Sequence, residues 1–128
     1  MGGDSSKNCI FCEIINKKEI ILFENDDIVI FKPRSPDAEI HLLCCPKKHI
    51  KNINTLTNED IPILEKMKSS AIEFIEKEYN FKNPIMGFHI PPFYSIKHLH
   101  MHCLSSKNFY NKMVLRDIDD QIKRLEKF

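Results

Sequence analysis

Charge of one sign is what this sequence most lacks. Nineteen lysines and arginines stand against eighteen acidic residues, a net charge of +1 with histidine neutral. That balance argues against a long non-specific nucleic-acid surface, so any anion site must be local. No apolar run approaches the roughly 20 residues needed to span a bilayer. Residues 1–8 are polar and lack the apolar centre of a secretory signal, and they are expected to form a flexible tail. The five cysteines, Cys9, Cys12, Cys44, Cys45 and Cys103, are odd in number and include an adjacent pair. A disulfide scaffold is disfavoured, and a reducing compartment with metal or core roles is expected, cytoplasmic and also compatible with the nucleus. There is no internal repeat and no low-complexity tract. What is left is one globular domain, residues 9–128, in a chain that is 42% apolar and 29% charged.

Met1-Gly2-Gly3-Asp4-Ser5-Ser6 fits the loose pattern for N-myristoylation of Gly2. A plain polar start is preferred, since one acyl chain gives only marginal membrane binding. Contact with a membrane is expected only if Gly2 is lipidated.

Cys9–Lys17 reads as a short helix with Ile10, Phe11, Ile14 and Ile15 turned inward. Ile20–Glu24 and Asp27–Lys32 read as strands around a polar turn, and Glu39–Cys45 as a third strand ended by Pro46. Two prolines make Phe31–Pro36 a loop. Thr57-Asn58-Glu59-Asp60 resembles a capping box, and Leu64, Met67, Ala71, Phe74 and Ile75 then carry a helical period through Tyr79. Ile85–Ile90 is a short apolar run, His98–Leu104 the next strand, and Asn111–Phe128 a C-terminal surface helix. Strands, a long helix, then strands predict an antiparallel α+β domain.

The strongest motif is His98-Leu99-His100-Met101-His102-Cys103-Leu104. In a strand alternate side chains share a face, so the three histidines point one way and the apolar residues the other. Imidazoles about 6.5–7 Å apart on that face can divide labour around one phosphate, one attacking phosphorus while a neighbour donates a hydrogen bond or proton. An ordinary pKa of about 6.5 leaves histidine mostly neutral yet easily protonated at pH 7. Ser95 could offer a hydroxyl to the phosphate or leaving group. A merely exposed or metal-binding strand is the bland alternative; the further histidines His41, His49 and His89 weigh against it.

Cys9-x-x-Cys12 alone is weak. It suits a redox dithiol, two buried small residues, or half of a zinc site completed by histidines, and zinc is the preferred reading. Pro46-Lys47-Lys48-His49-Ile50-Lys51 resembles a phosphate or nucleic-acid patch, but its lysines are better read as solvated. Cys44, Cys45 and Cys103 are most simply core residues.

His98–Leu104 fits at every position the His-φ-His-φ-His-φ-φ signature (φ apolar) of the histidine triad (HIT) superfamily. Ile10-Phe11, Phe23–Asp26, Phe31, His41 and Pro46–Ile50 fall in that family's order, and the sequence resembles it from about Cys9 to Ser105. The segment Met86–His98 is similar to the nucleotide-binding branch related to aprataxin. The resemblance implies an antiparallel sheet of about five strands with one long helix packed on it and short terminal helices, often in a homodimer.

It also implies hydrolysis of purine nucleoside phosphoramidates, AMP–amine or AMP–lysine, through a nucleotidyl-histidine intermediate. By that resemblance His100 is the nucleophile, His102 contacts the phosphate, Ser95 and His98 serve the phosphate or leaving group, and His41 supports the site. Ile10, Phe11, Ile14 and Phe31 form the apolar wall for the base, and His89 reaches the phosphate or leaving-group side. Structural zinc is implied on Cys9, Cys12, His49 and His98, with no organic cofactor, which puts His98 in two roles.

Two departures stand out. Pro33 occupies the position of an aspartate that accepts hydrogen bonds from the ribose hydroxyls, with Asp37 the candidate substitute. There is also no tryptophan, and the C-terminal segment that shapes leaving-group selection in some relatives has no clear match. A nucleotide-binding regulatory module with little turnover is the alternative from another class. An aprataxin-like DNA-adenylate hydrolase is disfavoured because the residues after Leu104 hold no cysteine or histidine and no basic footprint is present. A dinucleoside polyphosphate hydrolase fits the Phe88–Ser95 segment less well.

Overall fold

The structure is a computed structural model that describes residues 9–17, 20–34, 38–90, 96–105 and 115–127. The expected tail, the Gly2 pattern, Asp37 and Ser95 lie outside those residues.

Six strands form one antiparallel sheet, one more than expected. They are β1 (Ile21–Glu24), β2 (Ile28–Phe31), β3 (His41–Pro46), β4 (Ile85–His89), β5 (Met101–Leu104) and β6 (Leu115–Asp117), in the spatial order β1-β2-β3-β5-β4-β6. The β1–β2 turn is held by Asn25, whose Oδ1 accepts from the Asp27 and Ile28 amides at 3.0 and 2.8 Å. That is the reason a polar tripeptide reverses the chain there. β5 sits between β3 and β4, with Leu43 opposite His102 and Gly87 on its other side.

Helix α2 (Ile61–Tyr79) is the long helix. The Thr57 box belongs to a 3-10 turn just before it. The Asp60 side chain accepts from the Thr57 amide at 2.8 Å, and the Thr57 hydroxyl accepts from the Glu59 amide at 3.3 Å. Pro62 sits in the first helical turn, where its missing N–H costs nothing. Asn80, in the left-handed region at φ 53°, ends the helix. Leu64, Met67, Ala71 and Ile75 bury one stripe against the sheet.

Two expectations need correction. The C-terminal segment is not one helix: Leu115–Asp117 pairs with β4, and α3 (Ile118–Glu126) follows, capped by the Asp117 carboxylate on the Asp119 and Asp120 amides. A three-residue strand is too short to show a period-2 pattern. It forms because β4 would otherwise present an open edge. The triad strand is also shorter than expected. His98–His100 lie before β5, and the Leu99 amide bonds to the Ile50 carbonyl at 2.6 Å instead of a strand neighbour.

The two sheet faces differ. Leu42, Cys44, Met101 and Cys103 meet α2 and α3 on one side; Val29, Phe31, Leu43 and Cys45 meet α1 (Ile10–Lys17) on the other. Phe11 and Ile15 of α1 are buried as expected, Ile14 is half-buried, and Ile10 is exposed.

Candidate active site

All three triad histidines lie on the α1 side, with Leu99, Met101 and Cys103 in the opposite core, as the alternation requires. Their environments are not equivalent. His98 is fully buried. Its Nε2–H donates to the Pro46 carbonyl at 2.9 Å, which turns Nδ1 toward Cys9 Sγ (3.3 Å), Cys12 Sγ (3.4 Å) and His49 Nδ1 (3.2 Å). Burial pushes its imidazole down to about 4, against the Pro46 hydrogen bond and with His49 and His100 adding to the fall. This ring is occupied on both edges. What His98 contributes to the cleft is its backbone carbonyl, so it acts as a positioning residue there.

The cluster Cys9, Cys12, His49 and His98 brings one ligand atom from each residue within 4.8 Å of the others. Helix α1 makes this local: Cys9 immediately precedes it, Cys12 follows one turn later on the same side, and the Cys12 amide donates to Cys9 Sγ at 3.3 Å. Zinc bond lengths put tetrahedral ligand edges at about 3.4 Å between nitrogens and about 3.6 Å between nitrogen and sulfur. The N–N separation of 3.2 Å and the N–S separations of 3.3–3.4 Å are near these. Two thiols, two neutral-capable imidazoles and an outer hydrogen bond on His98 fit a divalent ion, so the four residues could hold a metal. Cys45, near the cluster, and Cys44 and Cys103 are different: burial pushes their thiols up, Cys103 to about 12, which suits inert core residues.

His100 has its Nδ1–H on the His98 carbonyl at 2.7 Å. That bond fixes the tautomer and leaves the Nε2 lone pair on the opposite edge of the ring. Phe11 packs edge-on against it, ring centroids 5.1 Å apart. Burial lowers the imidazole pKa, the His98 hydrogen bond opposes this, and His89 lowers it further. A neutral ring with one free lone pair is a nucleophile.

His102 is buried in β5. Its Nδ1 lies 2.9 Å from His41 Nε2, and its Nε2 has no hydrogen-bond partner among the described residues. Burial drives its pKa down to about 2, with His100, His89 and His41 adding to the fall. His89 stacks on His102 at 4.3 Å and reaches within 6.5 Å of His100, centroid to centroid. The structure therefore brings His41, His89, His100 and His102 into one group of imidazoles.

His89, His100 and His102 border a cleft of about 560 Å³, within the range of small-molecule sites. Ile10, Phe11, Ile14 and Phe31 line it, with Phe11 and Phe31 edge to face at 5.3 Å. The exposure of Ile10 is thus exposure to the cleft. Pro33 lines it as well, flanked by Lys32 and Arg34, two cations that the sequence analysis did not single out. The signal was present: they directly follow Phe31, the last residue of β2. Of the Lys47-Lys48 pair, Lys47 forms an ion pair with Glu24.

The fold and this site define a histidine triad protein. Residues 8–118 match the family described as scavenger mRNA decapping enzyme C-term binding. The chain is 37% identical over 118 residues to adenosine 5'-monophosphoramidase HINT3 of Mus musculus, covering 85% of this chain and 72% of that protein. It is 35% identical over 101 residues to the bifunctional adenosine 5'-phosphosulfate phosphorylase/adenylylsulfatase HINT4 of Arabidopsis thaliana, covering 76% and 69%. Among solved structures, the HIT family hydrolase from Legionella pneumophila Philadelphia 1 superposes with a TM-score of 0.70 at 28% identity, over 78% of this chain and 94% of that one. The chain belongs to the histidine triad superfamily of hydrolases.

Proposed function

We propose that this protein is an adenosine 5'-monophosphoramidase that cleaves the P–N bond of AMP–amine or AMP–lysine through a covalent intermediate on His100. The observation that carries this is the His100 Nδ1–H bond to the His98 carbonyl at 2.7 Å, which presents the other ring nitrogen unprotonated. The kinship with the mouse phosphoramidase supports the choice of substrate.

In the first half-reaction Nε2 of His100 attacks the α-phosphorus. A P–Nε2 bond forms, the P–N bond to the amine breaks, and the amine leaves with a proton supplied by the imidazole network, which the second half-reaction restores. In the second, water attacks phosphorus, its proton is taken up by the imidazole network, and AMP departs, restoring His100. If His41 donates to His102 Nδ1, His102 Nε2 carries a proton, and that otherwise unpartnered N–H can donate to a phosphoryl oxygen. The group is worth most where charge develops in a water-poor site. Phe11, Phe31, Ile10 and Ile14 supply the apolar wall for the base. Cys9, Cys12, His49 and His98 would hold zinc, and four protein ligands leave no open position, so its chemistry there is structural. A reducing location such as the cytoplasm keeps these thiols available.

The test is steady-state hydrolysis of a fluorogenic adenosine 5'-phosphoramidate by wild type and His100→Ala, with AMP binding measured in parallel. We expect turnover to fall by at least about a thousandfold, with binding retained. Binding without turnover by folded, metal-replete wild type would replace the enzyme reading with that of a nucleotide-binding module.

A further inference from the structure

The cleft is chemically lopsided. Its histidine end presents imidazoles. Its other described lining residues are apolar except for two full cations, Lys32 and Arg34, on either side of Pro33. No aspartate, glutamate, asparagine, glutamine, serine or threonine side chain lines it among the described residues. Pro33 itself offers a ribose hydroxyl no acceptor. Lys32 and Arg34 also have no carboxylate partner among the described residues.

Their position separates them from the reacting centre. They directly follow Phe31, and Phe31 is separated from His100 by two ring contacts in series, 5.3 Å to Phe11 and 5.1 Å from Phe11 to His100. A phosphoryl group at His100 leaves the apolar wall for the base, and the cations that follow Phe31 in the cleft lining are left to meet what the sugar carries. In nucleotide sites of other folds a carboxylate reads a free ribose hydroxyl, and an arginine in its neighbourhood reads a phosphate ester at that position. Guanidinium and ammonium both suit phosphate, the first as a two-pronged donor and the second as a point charge.

We propose that Lys32 and Arg34 select a nucleotide that bears a second anionic group, a phosphate ester on its ribose, in addition to the α-phosphoryl group presented to His100. This deepens the phosphoramidase reading and rests on it. The expected substrate class is a 2'- or 3'-phosphorylated adenosine 5'-phosphoramidate.

The experiment compares kcat/KM for adenosine 5'-phosphoramidate with that for its 2'-phospho and 3'-phospho forms, in wild type, in the double variant Lys32→Ala/Arg34→Ala and in the charge reversal Lys32→Glu/Arg34→Glu. A charged hydrogen-bonded contact predicts a wild-type preference of about tenfold to a hundredfold for one phosphorylated form. The ratio should collapse toward one in the alanine variant and fall below one on charge reversal. Raising salt should erode the preference, since both groups are exposed. Equal rates on all three substrates in wild type would overturn the proposal, as would a preference that survives both variants. An equal loss on all substrates would overturn it by assigning the cations to the α-phosphoryl group. A parallel series with an amine that carries a carboxylate separates the remaining source of negative charge. If only that series responds to the variants, the second anion belongs to the leaving group and the ribose assignment is wrong. Should no phosphoramidate turn over, binding of AMP against adenosine 2',5'- and 3',5'-bisphosphate decides the inference separately from the hydrolase reading. Tighter binding of a bisphosphate, lost in the alanine variant, upholds it, and equal binding overturns it.

Discussion

The two faces of the sheet are built on different principles. The face under α2 and α3 is a hydrocarbon core of nineteen buried residues, with Leu64, Met67, Ala71 and Ile75 fully enclosed. The face under α1 has seven, and much of its remaining surface is the cleft. Helix α1 spans eight residues, well short of the roughly 12–15 at which even a good isolated helix becomes marginal in water. Its hold on the sheet comes from Phe11 and Ile15 and from the Cys9/Cys12/His49/His98 cluster, which joins the start of α1 to the loop after β3 and to the triad. One face is given over mainly to packing and supplies stability. The other gives up apolar burial for the cleft and ties its cover down with polar, metal-fitting groups.

If this division holds, substitutions on the two faces should separate stability from turnover. Beyond the nucleophile itself, the largest effect is expected from His102→Ala, which removes the buried Nε2, unpartnered among the described residues, and the His41 contact. Turnover of a phosphoramidate should drop by about 10²–10⁴-fold. Leu64→Ala, on the opposite face, should cost about 2–5 kcal/mol of stability and leave kcat/KM of the folded fraction within about twofold. Urea unfolding beside steady-state kinetics reads both. Similar kinetic losses from the two variants would mean that the faces are mechanically coupled.

The next largest effect concerns the cover. Cys9→Ser with Cys12→Ser removes both thiols of the cluster and the Sγ that accepts from the Cys12 amide. Bound metal, read by elemental analysis, should be lost. The melting temperature should fall by about 10 °C, since one kcal/mol is worth several degrees in a domain of this size and structural metal binding is coupled to folding. Chelation of wild type should reproduce the shift. Cys44→Ser, in the other core, should lower stability without changing metal content. Metal-free wild type that melts like the variant would show that packing alone holds α1.

Much of this division was legible in the sequence. The period of α2 was visible because Leu64, Met67, Ala71 and Ile75 repeat at helical spacing. The sidedness of the triad followed from alternation, although β5 begins only at Met101. The alternation holds across His98–His100 because that stretch still packs Leu99 into the core while its amide is satisfied by Ile50. The CxxC spacing suggested a ligand pair. Its partners, His49 and His98, come from positions 37 and 86 residues beyond Cys12, which no local pattern reports. β6 could not be read because its three residues are recruited by the free edge of β4 and not by their own propensity. Ile10 was misplaced for a related reason. Apolar character indicates burial only where there is a core to enter, and on this face the adjoining volume is the cleft.

The smallest effect is one of pH, and it sharpens the contrast because the histidines lie on one face. His102 has its pKa driven down to about 2 by burial first, then by neighbouring imidazoles. In the unfolded chain its pKa returns to about 6.5. Between these values the unfolded state binds a proton that the folded state does not, so stability rises with pH and is lost as pH falls below about 6.5. For His102 alone this amounts to about 1.4 kcal/mol between pH 7.5 and 5.5, and the lowered pKa of His100 adds in the same direction. The opposite core contains Cys44 and Cys103, whose thiols are pushed up by burial and stay protonated throughout that window, contributing no slope. Urea unfolding at steps from pH 7.5 to 5.5 should therefore show a declining free energy, and His102→Asn should flatten the decline by about one proton's worth. An unchanged slope in that variant would place the titrating group elsewhere. A flattened slope would show that the acid sensitivity of folding is set on the cleft side, by the proton that buried His102 takes up on unfolding.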